Sequence, residues 1–346
     1  MIEGPMSSPQ QTQGPSPALF FETMNAHQRT AALKGAIQLE VFSAIGEGNV
    51  TAHSIATRCH TSERGMRILC DYLVIIGFLT KDGASYGLTL DSAMFLDRRS
   101  PAYLGTAERF LASPTLIDAY KDVAAIVRKG GEVMSAHGTM DPDHPIWVEF
   151  ARSMAPMMAM PAEAIAKLAG SEKSPCWKVL DIAAGHGLFG IAIARQNPNA
   201  SVVAVDWAHV LEVAREHAVS AGVASRYQVM PGSAFEVEFG EGYDIVLLTN
   251  FLHHFDPATC ETLLRKVAAA LKPGGRAITF EFVPNEDRIS PPMAAAFSMM
   301  MLGTTENGDA YTFSEFDRMF RNSGFGASEL HPIPPSPGQV IISHKE

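Results

Sequence analysis

Cysteine is scarce in this sequence, with four residues in 346, at Cys59, Cys70, Cys176 and Cys260. They form no CxxC pair and no zinc spacing. That argues against a disulfide scaffold or a structural zinc site and leaves reduced thiols in a cytoplasm as the expectation. Long apolar runs are missing too. No stretch approaches the roughly 20 residues needed to span a bilayer, so no membrane segment is expected. The first residues, Met1 to Pro17, lack the apolar core of a signal peptide. They are rich in Gln, Ser, Pro and Gly, so residues 1–18 are expected to be a disordered tail. Positive charge is the scarcer sign. Lys and Arg number 27 against 37 Asp and Glu, a formal net charge of −10, which disfavours phosphate-backbone binding; no nucleic-acid partner is expected. What remains is an ordinary globular balance on a chain long enough for two domains.

Residues 19–100 read as a mostly helical domain. Phe20 to Leu39 carries helical periodicity. Met66, Leu69, Leu73 and Ile76 mark the apolar face of a second helical stretch. Phe78 to Leu90 reads as two short strands turning at Asp82-Gly83. Helices followed by a hairpin suggest a winged helix, a module that often reads DNA. Here eight Lys/Arg between Leu19 and Ser100 are balanced by eight Asp/Glu, so the basic footprint of a DNA reader is absent. Protein–protein contact is the preferred reading. Residues 101–172 look helical and rich in Met and aromatics. Asp141 to Pro145 marks a break before a helix, and Pro161 is expected to start another. Trp147, Phe150, Met154, Met157 and Met158 fall at helical spacing, which plain core packing would also explain.

From residue 173 the grammar changes. Lys178 to Ile182, Ser201 to Asp206, Tyr227 to Met230, Asp244 to Thr249 and Gly275 to Glu281 read as strands. Helices are expected at Leu188 to Gln196, Val210 to Ala221 and Pro257 to Leu271. Strands alternating with helices predict an α/β, doubly wound parallel sheet. Ser328 to Ile333 and Gln339 to Ser343 read as closing strands.

The turn after the first of these strands, Gly185-His-Gly187-Leu-Phe-Gly190, fits GxGxxG, a weak signal of dinucleotide binding by itself. Asp181 lies four residues before the first glycine. A carboxylate there would repel a pyrophosphate. It would suit the ammonium and sulfonium of S-adenosylmethionine. Asp206 ends the next strand, where its two oxygens can accept both ribose hydroxyls. Asp181, Asp206, Asn250 and Glu281 all fall at strand ends, beyond which open parallel sheets bind ligands. The plain alternatives are that Asp181 caps a helix and Asp206 is a solvated loop acid.

These residues carry a resemblance to the two-domain small-molecule O-methyltransferases. Thr51 to Ala56, Met66 to Leu69 and Ile76 to Leu79 resemble the family's winged-helix dimerisation domain. Asp181 to Gly187 and Val205-Asp206 are similar to its two cofactor motifs. Gly232-Ser-Ala-Phe235 resembles the segment near the adenine, and Leu271-Lys-Pro-Gly-Gly275 the turn before strand five. Thr312 to Phe316 and Ser323 to Phe325 resemble the C-terminal pattern. The resemblance implies a class I methyltransferase, Rossmann-like sheet with its last strand antiparallel. It also implies a homodimer joined through the N-terminal domains, S-adenosylmethionine as cofactor and a small-molecule acceptor. The cofactor is then expected on Asp181, Ala183, Gly185, Gly187, Asp206, Trp207, Gly232, Ser233, Ala234, Phe235, Thr249 and Asn250. Departures are visible. Ala183 replaces the first motif glycine, and Ser233 replaces the usual acid of the adenine segment. Thr249 stands where the family has Lys. The catalytic stretch reads Leu252-His253-His254-Phe255, with His254 in place of Asp. One flanking acid is kept as Glu281, while the other falls near Ala310, with Asp309 beside it.

The chemistry follows from those positions. A hydroxyl nucleophile gains from losing its proton, and histidine titrates near neutrality. His253 is expected as general base, Glu281 as the group orienting it, and His254 as a second hydrogen-bonding ring or an outward-packed one. A structural role for His253 is the plain alternative. No metal is expected: adjacent residues on an extended chain point to opposite sides, so His253, His254 and Glu281 would not converge. The acceptor is expected among Trp147, Phe150, Met154, Met157, Phe297, Met300 and Met301, a wall suited to a planar or apolar molecule. Thiol or amine acceptors stay open, because a thiolate needs little base assistance. So do a nicotinamide oxidoreductase, a winged-helix regulator and a cofactor-binding relative with non-methylating chemistry.

Overall fold

The structure is a computed structural model and describes residues 14–133, 144–170 and 176–346. Most of the expected tail and residues 141–143 of the expected break lie outside the described residues. The chain divides into two compact units, Met1–Gly105 and Thr106–Glu346.

The first unit is helical with one hairpin. Its helices are Ala18–Met24, Ala26–Gln38, Val41–Gly46, Ala52–Arg58, Glu63–Ile75 and Leu90–Phe95. Three begin on hydroxyl caps: the side chains of Thr51, Ser62 and Thr89 accept from the backbone N–H groups of Ser54, Gly65 and Ser92. The hairpin pairs β1 (Leu79–Asp82) with β2 (Ser85–Leu88). Its turn falls at Gly83, where φ is +55°. Phe42, Ile55, Met66 and Leu73 fill the core between helices and hairpin. On the first helix, Leu19, Phe20, Phe21 and Met24 are exposed.

The second unit is a seven-stranded sheet. Its strands are β3 (Lys178–Ile182), β4 (Ser201–Asp206), β5 (Tyr227–Pro231), β6 (Tyr243–Thr249), β7 (Leu271–Glu281), β8 (Phe325–Pro332) and β9 (Gln339–Lys345). Their order is β5-β4-β3-β6-β7-β9-β8. The ladders from β5 to β7 are parallel, and β9 runs antiparallel to both neighbours, as expected. Side chains alternate between faces. Val179, Val202, Ala204, Ile245 and Leu247 face helices Ile146–Leu168, Leu188–Gln196 and Ala208–Ser220. Leu180, Ile182, Val205, Val246 and Leu248 face helices Pro257–Ala270 and Phe313–Arg321. The strand order reverses between β3 and β6, so their carboxyl ends open a crevice of the kind that holds ligands.

One expectation fails here. Pro161 does not start a helix: Ile146–Leu168 is continuous, with Pro156 and Pro161 inside it. Each proline frees the carbonyl four residues back. Those carbonyls belong to Arg152 and Met157, both exposed, so water can take the lost bonds.

Candidate active site

The crevice is lined first by the turn after β3. Gly185 and Gly187 have φ of +56° and +76°, and Ala183 has +53°. The last is a left-handed conformation that costs an alanine about 1 kcal/mol. A Cβ on Gly187 would stand 2.6 Å from the Tyr227 hydroxyl and 2.9 Å from the Ala214 Cβ. Gly187→Ala is therefore expected to lower unfolding free energy by about 2–3 kcal/mol, measurable by urea denaturation. Gly185 differs, since a Cβ there would meet nothing nearer than 3.9 Å. The backbone at Gly185 is open to a close-approaching ligand.

Asp206 holds this turn together. Its Oδ2 accepts from Gly185 N–H at 2.8 Å and its Oδ1 from Trp207 N–H at 2.7 Å. Its carbonyl accepts from Gly232 N–H at 2.9 Å, tying in the Gly232–Phe235 segment. Asp206 is half-buried, not a freely solvated loop acid, and burial pushes its carboxyl up to about 6. Each oxygen uses one lone pair on the protein and keeps another, so the donor-accepting geometry fits a ribose diol.

Asp181 lies near the carboxyl end of β3. It is fully buried, and its Oδ2 accepts from Gly190 N–H at 3.1 Å, in the first turn of helix Leu188–Gln196. This bond caps the helix, as the plain alternative had it. Its Oδ1 is buried without a partner among the described residues. Burial pushes its carboxyl up to about 7, against 3.8 ordinarily, with the Gly190 bond pulling the other way. A raised carboxyl favours the folded state while protonated. That stability is full below about pH 4 and is lost as pH rises through 7. Asp181→Asn, which keeps the bond to Gly190, is expected to flatten the fall in Tm of the unliganded protein between pH 5 and 8. An unchanged Tm–pH slope in the variant would contradict it.

His186, between the glycines, is buried. Its Nδ1 accepts from Leu188 N–H at 3.2 Å, and its ring stacks on Phe150 at 6.4 Å and 17°. Burial holds its imidazole down at about 3, so it is neutral.

The second wall comes from the ends of β6 and β7. Thr249 is buried, and Asn250 follows it at φ +53°, its amide 3.9 Å from the Met158 sulfur. Leu252–His254 then form a single 3₁₀ turn. His253 Nδ1 lies 2.5 Å from Glu281 Oε2, and both side chains are almost wholly buried. Glu281 is itself fixed, because its Oε1 accepts from Phe251 and Leu252 N–H, each at 2.9 Å. The turn changes one expectation. The chain is not extended here, and the His253 and His254 rings stand side by side, 4.3 Å apart. Asp309 does not reach the His253 ring. Its carboxylate pairs with Arg288 and caps Ala310 N–H, while its own N–H donates to the His253 carbonyl.

Among the expected acceptor residues, Phe297 meets the His253 ring edge-on at 4.8 Å. Trp147 meets the His254 ring edge-on at 5.4 Å and Phe150 at 6.0 Å. Met154 and Met301 are buried, Met300 is half-buried, and Met157 is exposed. Trp207 joins Trp147 in the small cluster around Ala151, Val210 and Val213. In the adenine segment, Ser233 Oγ accepts from Phe235 N–H, the Ala234 carbonyl accepts from Lys266, and Phe235 packs edge-on against Phe255. Four contributors were missed in the sequence. His186 hid as the variable position of its motif. Phe282, stacked on Phe297 at 4.3 Å, directly follows Glu281. Met158 lies one residue beyond an expected wall position. Gly308 carries no signal; a Cβ there would stand 2.3 Å from the His253 carbonyl.

Known proteins resemble this chain in sequence and fold. The family model for an O-methyltransferase domain matches residues 120–326, and that for an O-methyltransferase dimerisation domain matches residues 21–98. A 3-hydroxy-5-methyl-1-naphthoate 3-O-methyltransferase from Streptomyces sahachiroi is 27 % identical over 323 residues, covering 92 % of this chain and 91 % of that one. The crystal structure of a candidate O-methyltransferase from Nostoc punctiforme is 59 % identical. It covers 96 % of this chain and 100 % of its own, with a TM-score of 0.94. Human N-acetylserotonin methyltransferase, solved with S-adenosylmethionine, shares the fold at a TM-score of 0.82 and 19 % identity, over 97 % of this chain and 99 % of its own. Both family models matching in their expected order, and 59 % identity along nearly the whole length, leave one assignment: the chain belongs to the S-adenosylmethionine-dependent O-methyltransferase family.

Proposed function

We propose that the protein methylates a hydroxyl group on a small planar acceptor, with His253 as general base. The observation that carries this reading is the buried His253–Glu281 pair at 2.5 Å. A ring nitrogen that close to a carboxylate donates a hydrogen bond to it, so Nδ1 carries the hydrogen and Nε2 carries the lone pair. Glu281 then stabilises the imidazolium that forms when Nε2 takes the hydroxyl proton. Its two backbone bonds keep it from moving during that step.

S-adenosylmethionine, when bound, supplies an electrophilic methyl group on its sulfonium. The chain's own part is alignment and proton removal. Asp206 and the Ala183–Gly187 turn would hold the cofactor, with Gly232 to Phe235, Trp207, Thr249 and Asn250 around it. Phe297, Phe282 and Trp147 supply flat aromatic faces and Met154 an apolar side chain, which suit an aromatic acceptor. The Streptomyces relative's name describes methylation of a naphthoate hydroxyl, which supports the same class. A thiol acceptor would leave the base without a task, so the dyad favours oxygen.

The reading extends to assembly and place. The exposed apolar residues of helix Ala18–Met24 and the dimerisation-domain match support a homodimer. Four free cysteines support a reducing cytoplasm. No helix among the described residues is long and apolar enough to cross a membrane. The mechanism calls for no metal, and activity lost in chelator and restored by a divalent ion would refute that.

The test is transfer of labelled methyl from S-adenosylmethionine to a panel of phenols, thiols and amines. Label on phenolic oxygen is expected. Label on sulfur or nitrogen alone, or none while S-adenosylhomocysteine binds, would refute the assignment.

A further inference from the structure

We propose that His254 is a neutral hydrogen-bond donor to the acceptor, and that the acceptor therefore carries a second oxygen on the carbon adjacent to its reacting hydroxyl. This rests on the methyl-transfer reading and deepens it. The His254 ring lies 4.3 Å from the His253 ring and is boxed edge-on by Trp147, Phe251 and Phe255, at 5.4, 6.5 and 6.2 Å. Its Nδ1 is buried and has no partner among the described residues. An orphaned buried N–H is rarer in proteins than a bare acceptor. The proton is therefore assigned to Nε2, the nitrogen left to meet a ligand. Burial first, and the neighbouring His253 ring second, hold the imidazole well below its usual range, so the ring stays neutral.

The two rings thus present complementary groups. His253 offers a lone pair at Nε2, because Glu281 occupies its Nδ1. His254 offers an N–H. A hydroxyl standing alone on an apolar ring uses only the first. A hydroxyl with a carbonyl, ether or hydroxyl oxygen on the next carbon uses both, and the short distance between rings suits neighbouring oxygens. An acidic residue at position 254 could only accept a hydrogen bond and would favour a second donor instead. The change to histidine inverts that preference.

The test pairs two phenols of one shape, 2-methoxyphenol and 2-ethylphenol, in labelled methyl transfer. The wild-type kcat/KM ratio is expected to favour the methoxy compound by about tenfold or more, the worth of one good hydrogen bond. In His254→Phe the ratio should fall to near one, and in His254→Gln, which keeps a donor, it should partly return. S-adenosylhomocysteine binding checks that each variant is folded. Histidine ¹⁵N NMR of the full chain gives an independent readout: His254 should show a bare Nδ1 and a protonated Nε2 from pH 6 to 8. A wild-type ratio near one, a ratio indifferent to His254→Phe, or a proton on Nδ1 would overturn the proposal. Failure of the methyl-transfer reading looks different. No acceptor of any kind would then take label, and this proposal would fall with it.

Discussion

His253→Ala is expected to cut turnover at least a hundredfold while S-adenosylhomocysteine binds within about twofold of wild type. The two outcomes separate because of where the residue sits. His253 belongs to the 3₁₀ turn after β6, and its ring meets Glu281, His254 and Phe297. The cofactor side of the crevice is held by Asp206 and the turn after β3, which His253 does not bond. Removing the imidazole deletes the proton acceptor and leaves that geometry standing. The loss should shrink for acceptors whose hydroxyl is already ionised at the assay pH, since they need no base. Turnover within a few-fold of wild type on a neutral phenol would assign His253 a structural role.

Glu281→Gln is expected to cost as much, by a different route. The glutamine oxygen can still accept from Phe251 and Leu252 N–H, so the loop need not move. Its amide must then face His253 Nδ1, where the carboxylate stood at 2.5 Å. An amide donates, so Nδ1 becomes the acceptor and the ring proton shifts to Nε2. The nitrogen that should take the hydroxyl proton is then blocked. In the serine protease triad the same wrong-tautomer change costs about 10⁴-fold in kcat, and about 10²–10⁴-fold is expected here. The distinguishing readout is ¹⁵N NMR, which should show the His253 tautomer reversed. Glu281→Leu should be worse in another way. It would leave the two backbone donors and the ring buried without an acceptor, so Tm should drop along with activity.

What could be read from the sequence was what strand ends and turns dictate. β3, β4, β6 and the second half of β7 were legible as short apolar runs with a polar residue at or beside the end, whereas β7 begins at Leu271 and so includes the expected turn Leu271–Gly275. The helix at Leu188–Gln196 and the reversed β9 were found in place. His253 and Glu281 were legible as strand-end residues, although their 2.5 Å meeting is a tertiary fact. Errors came where local grammar was overruled. Pro161 read as a helix start because proline favours first turns. The helix Ile146–Leu168 nevertheless continues through it. His253 and His254 were assigned opposite directions from an extended chain, and the 3₁₀ turn placed them together. Asp181 stands at a place in the motif that suits both a helix cap and a ligand residue. Only its burial against Gly190 shows the capping role. Asp309 and Gly308 depend on how the segment after residue 304 folds back onto the Leu252–His254 turn, and Phe282 on where helix Pro292–Thr304 places Phe297, which no local pattern encodes.

The reversed strand has a consequence for biosynthesis. β7, which carries Glu281, lies between β6 and β9, and β9 is threaded between β7 and β8. During synthesis β7 emerges long before Gln339–Lys345. Until those residues leave the ribosome, the edge of β7 has open N–H and C=O groups, and β8 has no neighbour in the sheet. The cofactor turn, built on β3 and β4, can form early. The strand that carries Glu281 gains its second neighbour only when the last strand arrives. A nascent chain should therefore form its cofactor turn before this part of the sheet is closed, and the interval is when the exposed edge is most open to mispairing.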